Sequence, residues 1–265
     1  MNDSATHVLV LPSYNTGPIL ERTVREALRY WRPLWLFIDG STDGAHEVFL
    51  KKPEEWPGLR VFVSQTNRGK GATAAWAADE AARAGFTHLL LMDADGQHPA
   101  DRVPELMSLS AQRPEACVMG QPDFGPDAPW VRLAGRQLSV GLTQFETLWG
   151  GLADPLFGMR VYPVGPLREV FKGTRFARRY DFDPEVAVRL FWAGVPPLRC
   201  RVPVRYVPAE EGGVSHFHYL RDNAFMLWLH VRLLLSFVPR CFSVARLSRR
   251  FRRQQDGGGG PLCSC

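Results

Sequence analysis

Leu89-Leu90-Leu91-Met92-Asp93-Ala94-Asp95-Gly96-Gln97-His98 is the stretch whose reading decides the fold. Its apolar start makes a strand buried on both faces, and two carboxylates follow at the strand's carboxyl end, where open α/β sheets bind their ligands. Asp93 and Asp95 are two residues apart, so an extended segment points both the same way. Gly96 lets the chain turn sharply enough to bring Gln97 or His98 back toward them. Hard oxygen ligands gathered like this suit Mg²⁺ or Mn²⁺, ions that keep positions open for phosphate oxygens. One alternative stays open at this point: aspartates between a strand and Pro99 also serve as caps for a following helix.

Working outward, strand and helix alternate. His7 to Leu11 is a short apolar strand, and Ile19 to Tyr30 repeats apolar residues at helical spacing. Leu34 to Ile38 and Arg60 to Ser64 are further strands, with a short helix through Val48 between them. The alanine-rich run from Ala72 to Ala84 strongly favours helix. Successive strand–helix units imply a mostly parallel sheet covered on both faces, since parallel neighbours need crossovers. The polar, glycine-containing turns at 11–17, 39–44 and 93–98 then share one edge of that sheet, where a common site is expected. Further on, a helix from Asp101 to Ser110, a strand from Ala116 to Gly120, a loop or lid from Gln121 to Trp130 and a helix from Arg132 to Trp149 are expected. A helix opening near Asp181-Phe182-Asp183-Pro184-Glu185 and running through Trp192 follows, then a strand from Leu198 to Val207.

Composition narrows the function. The chain has 265 residues, 45% of them hydrophobic, and a net charge of +5. Residues 223–255 carry seven arginines and no acid, which leaves 25 basic and 27 acidic residues elsewhere, so only this segment is basic. Five scattered cysteines at 117, 200, 241, 263 and 265 suit reduced thiols better than a disulfide framework. The polar N-terminus lacks the basic start and apolar run of a signal peptide, so a cytoplasmic protein is expected. Ala224 to Val238 is apolar but interrupted by His230 and Arg232, short for a membrane span. With the arginines at 246–253 it reads as a helix lying in an anionic membrane surface, or as a core helix with a solvated basic tail. Nucleic acid is not expected as a partner, because only Phe251 interleaves the arginines.

Single motifs leave alternatives. Gly69-Lys70-Gly71-Ala72-Thr73-Ala74 matches G-x-G-x-x-A before a helix, with Asp93 placed for a ribose contact, so an NAD(P)-binding oxidoreductase is a rival. Against it, the fingerprint follows the third strand, and Asp95 goes unexplained. Arg68 and Lys70 read either as charges facing a substrate or as a solvated surface pair. Asp39-Gly40-Ser41-Thr42-Asp43 is either a capped turn or a nucleotide contact.

Taken together, Pro12-Ser13-Tyr14-Asn15, Asp39-Gly40-Ser41-Thr42-Asp43, Asn67-Arg68-Gly69-Lys70-Gly71 and Asp93-Ala94-Asp95-Gly96-Gln97-His98 resemble the family 2 glycosyltransferases of the GT-A fold. The likeness spans about residues 7–216 and is closest to the dolichyl- and polyprenyl-phosphate sugar transferase branch. It implies a GT-A domain over 1–218; charge and composition set apart a basic amphipathic helical segment over 219–255 and, from the Gly257–Gly260 run, a disordered tail over 256–265. It implies a UDP- or GDP-sugar donor whose pyrophosphate binds Mg²⁺ or Mn²⁺ held by Asp93, Asp95 and Gln97. Pro12, Tyr14, Asn15, Asp39 and Asp43 would line the nucleotide pocket. His216 stands where the branch commonly has lysine, so Arg205 or Arg221 would supply a permanent charge toward the diphosphate. The activity implied is inverting transfer to a lipid or lipid-linked acceptor, at the inner face of a membrane with the protein bound peripherally. A hydroxyl acceptor would need a base, for which Asp154, Asp181, Asp183 and Glu185 are candidates, Glu185 aligning best with an acid in the resembling enzymes. A phosphate acceptor would need none. A non-catalytic module that binds sugar nucleotide or membrane is the remaining rival.

Overall fold

A computed structural model describes residues 2–124, 130–204 and 219–257. In chain order the elements are β1 (Asn2–Asp3), β2 (His7–Ser13), α1 (Ile19–Tyr30), β3 (Trp31–Arg32), β4 (Leu34–Asp39), α2 (Glu47–Lys51), β5 (Leu59–Ser64), α3 (Lys70–Arg83) and β6 (His88–Leu91). They continue with α4 (Val103–Gln112), β7 (Cys117–Asp123), α5 (Trp130–Glu146), β8 (Arg160–Pro163), α6 (Val164–Lys172), α7 (Phe182–Trp192), β9 (Pro197–Pro203), α8 (Tyr219–Phe237) and α9 (Cys241–Gly257). The main sheet runs β5-β4-β2-β6-β8-β7-β9, and every pairing is parallel except the two made by β8. The chain steps from β2 outward to β4 and β5, then returns to the other side of β2 with β6. That reversal opens a crevice at the carboxyl ends of β2 and β6, where doubly wound sheets bind ligands.

Side-chain alternation divides the core between the two faces. Val8 and Val10 of β2 join Leu89 and Leu91 of β6 and the fully buried Ala74, Ala77, Ala78 and Ala81 of α3, whose small side chains bring that helix close to the sheet. Leu9, Leu11, Leu36 and Leu90 face α1 and α4 on the other side. Phe237, Val244 and Phe251 belong to the first of these clusters, so α8 and α9 are packed on the domain.

Four expectations change. β7 continues to Asp123 where a loop from Gln121 was expected, pairing with β9 through Pro122 opposite Val202. Its pairing with β8 covers only Val118 and Met119, so Pro122 sits where no ladder donor is needed. The helix α6 was unforeseen because Gly165-Pro166 resembles a break, yet Pro166 falls in the first turn, where its missing N–H costs nothing. The single C-terminal segment is two helices, parted by a 3₁₀ turn at Val238–Arg240 around Pro239, and α9 runs through Gly257, past the start of the expected tail. Finally, His230 and Arg232 face the protein. The outward side of α8 instead carries Leu227, Trp228, Val231 and Leu235 at i+3 and i+4 spacing, continued by Val238 and Phe242.

Candidate active site

Two cavities meet at Asp93. The larger, about 510 Å³, is lined by Pro12, Ser13 and Tyr14 from the end of β2, Asp39 from β4, Lys70 from α3 and Arg179 with Tyr180 from the segment before α7. The smaller, about 150 Å³, is lined by Asp93, Asp95, Gln97 and His98 together with Arg136, Phe157 and Gly158. Asp93 lines both.

Lys70, the first residue of α3, is the electrostatic centre. Its Nζ lies 2.7 Å from Asp93 Oδ1 and 2.9 Å from Asp183 Oδ2. Burial alone would lower its pKa, but the Asp183 and Asp93 charges raise it above the ordinary lysine value, so it stays protonated. Burial would likewise raise the Asp93 carboxyl; Lys70 and neighbouring His98 and Arg160 hold it below the usual carboxylate range. Asp95 goes the other way. Burial first, and then the Asp93 charge, push it up. Its Oδ1 accepts the Gln97 N–H at 3.0 Å, and no cation pairs with it among the described residues. An acidic pair whose second member lacks a counter-charge is a donor set suited to a divalent cation. Among the described residues no three His, Cys, Asp or Glu side chains gather to hold one alone. Asp93, Asp95 and Gln97 therefore fit an ion that takes further ligands from a bound diphosphate.

The other expected residues divide. Pro12, Tyr14, Asp39 and Lys70 line the larger cavity. Both Asp39 oxygens accept backbone N–H groups, from Arg68 at 2.9 Å and Gly69 at 2.7 Å, so this buried carboxylate also shapes the loop ahead of α3. Asn15 and Asp43 are braces and do not line the cavity. Asn15 Oδ1 accepts the Thr42 N–H at 2.7 Å, and Asp43 Oδ2 accepts the Gly17 N–H at 2.8 Å, tying the first two loops together. Glu185 does not fit a base. It is 1% exposed, with Oε1 held by Thr174 and Arg189 and Oε2 by Arg232. Asp183 is occupied by Lys70, and Asp154 pairs with Arg136. Arg205, His216 and the Ser215 beside it lie outside the described residues, and the Arg221 side chain is likewise not described. The glycines of the G-x-G-x-x-A match serve packing: a Cβ on Gly69 would stand 2.5 Å from the Arg178 carbonyl oxygen, and one on Gly71 would collide with Ala177.

Sequence reasoning missed three arginines. Arg160 is fully buried and donates to the carbonyls of Pro155, Phe157 and Asp183, fixing the 154–158 loop under the smaller cavity. The signal was a charge inside the apolar run Met159-Arg160-Val161-Tyr162, since a buried charge demands partners. Arg136 and Arg179 belong to none of the motifs, and only the fold brings them to the cavities.

A crevice at the switch point of a seven-stranded, mostly parallel sheet flanked by helices defines a GT-A-like fold. A glucosyl-3-phosphoglycerate synthase from Mycobacterium tuberculosis, solved with Mn²⁺ and UDP-glucose, shares the fold at TM-score 0.56 and 16% identity, over 88% of this chain and 79% of that one. Staphylococcus aureus TarS 1–349, solved with UDP-GlcNAc, matches at TM-score 0.57 and 11% identity, over 96% and 73%.

The chain belongs to glycosyl transferase family 2, whose model matches residues 8–171. It is 28% identical over 202 residues to the dolichyl-phosphate beta-glucosyltransferase ALG5A of Trichomonas vaginalis, covering 68% of this chain and 59% of that protein. It is 24% identical over 216 residues to the polyprenol monophosphomannose synthase of Mycolicibacterium smegmatis, covering 77% and 78%. Such names agree with the branch that the motifs resemble. Family membership removes the oxidoreductase rival.

Proposed function

We propose that this glycosyltransferase moves a sugar, with inversion and with a divalent ion, from a nucleoside-diphosphate donor to a lipid-linked phosphate acceptor at the cytoplasmic face of a membrane. The observation that carries this reading is the wall shared by the two cavities: donor-type contacts lie on one side of Asp93, and an anion-receiving arginine on the other. Arg136 Nη2 is buried and has no hydrogen-bond partner among the described residues, although the same guanidinium pairs with Asp154. A phosphate oxygen supplies the acceptor it lacks.

Asp93, Asp95 and Gln97 would hold Mg²⁺ or Mn²⁺. When bound, such an ion offsets the negative charge that develops on the departing diphosphate. Lys70 keeps a protonated ammonium beside that position, and Asp39 with Tyr14 bounds the nucleotide end of the cleft. A phosphate oxygen of the acceptor attacks the anomeric carbon, the bond from that carbon to the donor phosphate breaks, and the nucleoside diphosphate leaves with the electron pair. Such an acceptor is already ionised. No base is then required, which agrees with Asp154, Asp183 and Glu185 all being bound to cations.

The outer stripe of α8 supports the membrane. The run Phe225–Gln255 holds an 18-residue window of mean hydropathy 1.4, apolar enough to cross a bilayer by length and composition. Its inner side is packed on the domain, however, so lying in the interface is the arrangement that satisfies both faces, with Arg246, Arg249, Arg250 and Arg253 clustered on α9 for anionic headgroups.

The chain spans 59% of the Trichomonas enzyme, so acceptor and donor are tested on the protein itself. Melting is followed with UDP, GDP and NAD⁺, each with and without Mn²⁺. Stabilisation by UDP or GDP only with the metal is expected. A response to NAD⁺ and to neither diphosphate overturns the proposal.

A further inference from the structure

Among the described residues, the inward side of α8 carries one guanidinium, Arg232, whose side chain is 10% exposed. Its Nη2 lies 3.0 Å from Glu185 Oε2 and 3.4 Å from Asp181 Oδ2, and its Cζ stands 3.7 Å from the centre of the Phe176 ring. These contacts converge on the segment that leads into α7. Asp181 in turn accepts the Ala177 N–H at Oδ2 and the Arg179 N–H at Oδ1, at 3.1 and 3.0 Å, and so closes residues 177–181 into a loop. Ala177 is held there at φ +58, a conformation unfavourable for a residue with a Cβ, which persists only when its surroundings enforce it. The loop is fixed to α3 as well, through the Ala72 N–H to the Arg178 carbonyl at 3.1 Å. Its outer residues, Arg179 and Tyr180, form one wall of the larger cavity.

We infer that Arg232 is a positioning residue for the donor cleft: from the C-terminal helix it neutralises Asp181 and Glu185 and thereby holds the Arg179–Tyr180 wall in place. This rests on the reading of the larger cavity as the nucleotide site. The guanidinium suits the task better than an ammonium, because it faces two carboxylates while its flat side covers an aromatic ring. Without it, the part-buried Asp181 and the fully buried Glu185 lose a shared counter-charge, Arg189 alone remaining on Glu185, and Asp181 is free to turn from the amides it clamps.

The test uses the full chain and the variants Arg232→Met and Arg232→Lys, with UDP and GDP titrated in the presence of Mn²⁺ by calorimetry. Amide exchange at Ala177 and Arg179 is measured on the same samples. Arg232→Met is expected to weaken the nucleotide that the wild type binds by about tenfold and to speed exchange at both amides, with Arg232→Lys restoring part of each. Val188→Ala loosens the same α7–α8 contact without touching the arginine, and is expected to lower the melting temperature while leaving affinity unchanged. Should Arg232→Met not fold, Asp181→Asn removes the opposing charge in its place. Affinity within about twofold of wild type, with unchanged exchange, overturns the inference. If the wild type binds neither nucleotide, the reading of the cavity falls, and exchange at the two amides alone decides the role of Arg232.

Discussion

Asp95→Asn should make the ligand-free protein more stable and its nucleotide complex weaker. The amide keeps an oxygen for the Gln97 N–H, so the hydrogen bond that this carboxylate accepts survives and only the charge is lost. That charge is unfavourable where it stands, since burial and Asp93 both push the Asp95 pKa upward and no cation pairs with it among the described residues. Removing it should raise the melting temperature of the ligand-free protein. With Mn²⁺ and a nucleoside diphosphate at about 100 times its Kd, the wild type should gain about 2.7 kcal/mol, roughly 5–10 °C, and the variant almost none. Differential scanning fluorimetry of both proteins, with and without ligand, reads both signs. A variant that melts lower than wild type and still responds fully to nucleotide and Mn²⁺ refutes the assignment of Asp95 to the metal.

Gly158→Ala would bring a Cβ to 2.5 Å from Lys70 Nζ and 2.9 Å from Asp93 Oδ2, so turnover should drop by about tenfold or more with little change in melting. A clean loss of folding would instead make Gly158 a packing residue. Arg136→Met should raise the KM for a polyprenyl-phosphate acceptor by about tenfold while nucleotide affinity stays level, and a matching loss of nucleotide affinity would remove the acceptor role. Leu235→Glu with Phe242→Glu, at positions 69% and 80% exposed, should lower binding to phosphatidylglycerol vesicles by more than about tenfold without altering stability. Equal sedimentation with vesicles would remove the membrane reading. His7, stacked 4.5 Å from His88, is pushed from 6.5 to about 4 by burial and by that neighbour. Its folded pKa lies below its unfolded one, so the contribution is complete above about pH 6.5 and is lost as pH falls toward 4. After solvent screening this is about 1–2 kcal/mol, and His7→Gln should flatten that part of a denaturant-midpoint profile.

The strands and most helices could be read locally because each carries its own period. β2, β4 and β6 are unbroken apolar runs, and α1 repeats its buried residues every three or four positions. What escaped depends on distant partners. The antiparallel insertion of β8 between β6 and β7 is set by register across the sheet, and nothing in Arg160–Pro163 encodes direction. The cleft was legible where motif and turn chemistry ask for the same residues, as at Asp93 and Asp95, which line the cavities. It was misleading where they compete: Asn15 and Asp43 stand among nucleotide-type motifs yet spend their oxygens on backbone amides of the neighbouring loop. Glu185 failed for a different reason. An acid in the first turn of a helix looks available until two arginines from elsewhere in the fold reach it.

The C-terminal helix shows why a helical wheel alone misassigns faces. A wheel sets His230 and Arg232 on nearly opposite sides and so sends at least one of them to water, a rule that holds only when the interior offers it nothing. Here the interior offers Glu146, whose Oε1 lies 2.9 Å from His230 Nδ1, and the Asp181–Glu185 pair for Arg232. Charges with partners can be buried, and they share the inner side here with Leu229 and Leu233, which pack against Val188. Apolar residues therefore lie on both sides of the helix, and the exposed stripe of Leu227, Trp228, Val231 and Leu235 is the surface that the proposed bilayer contact would cover.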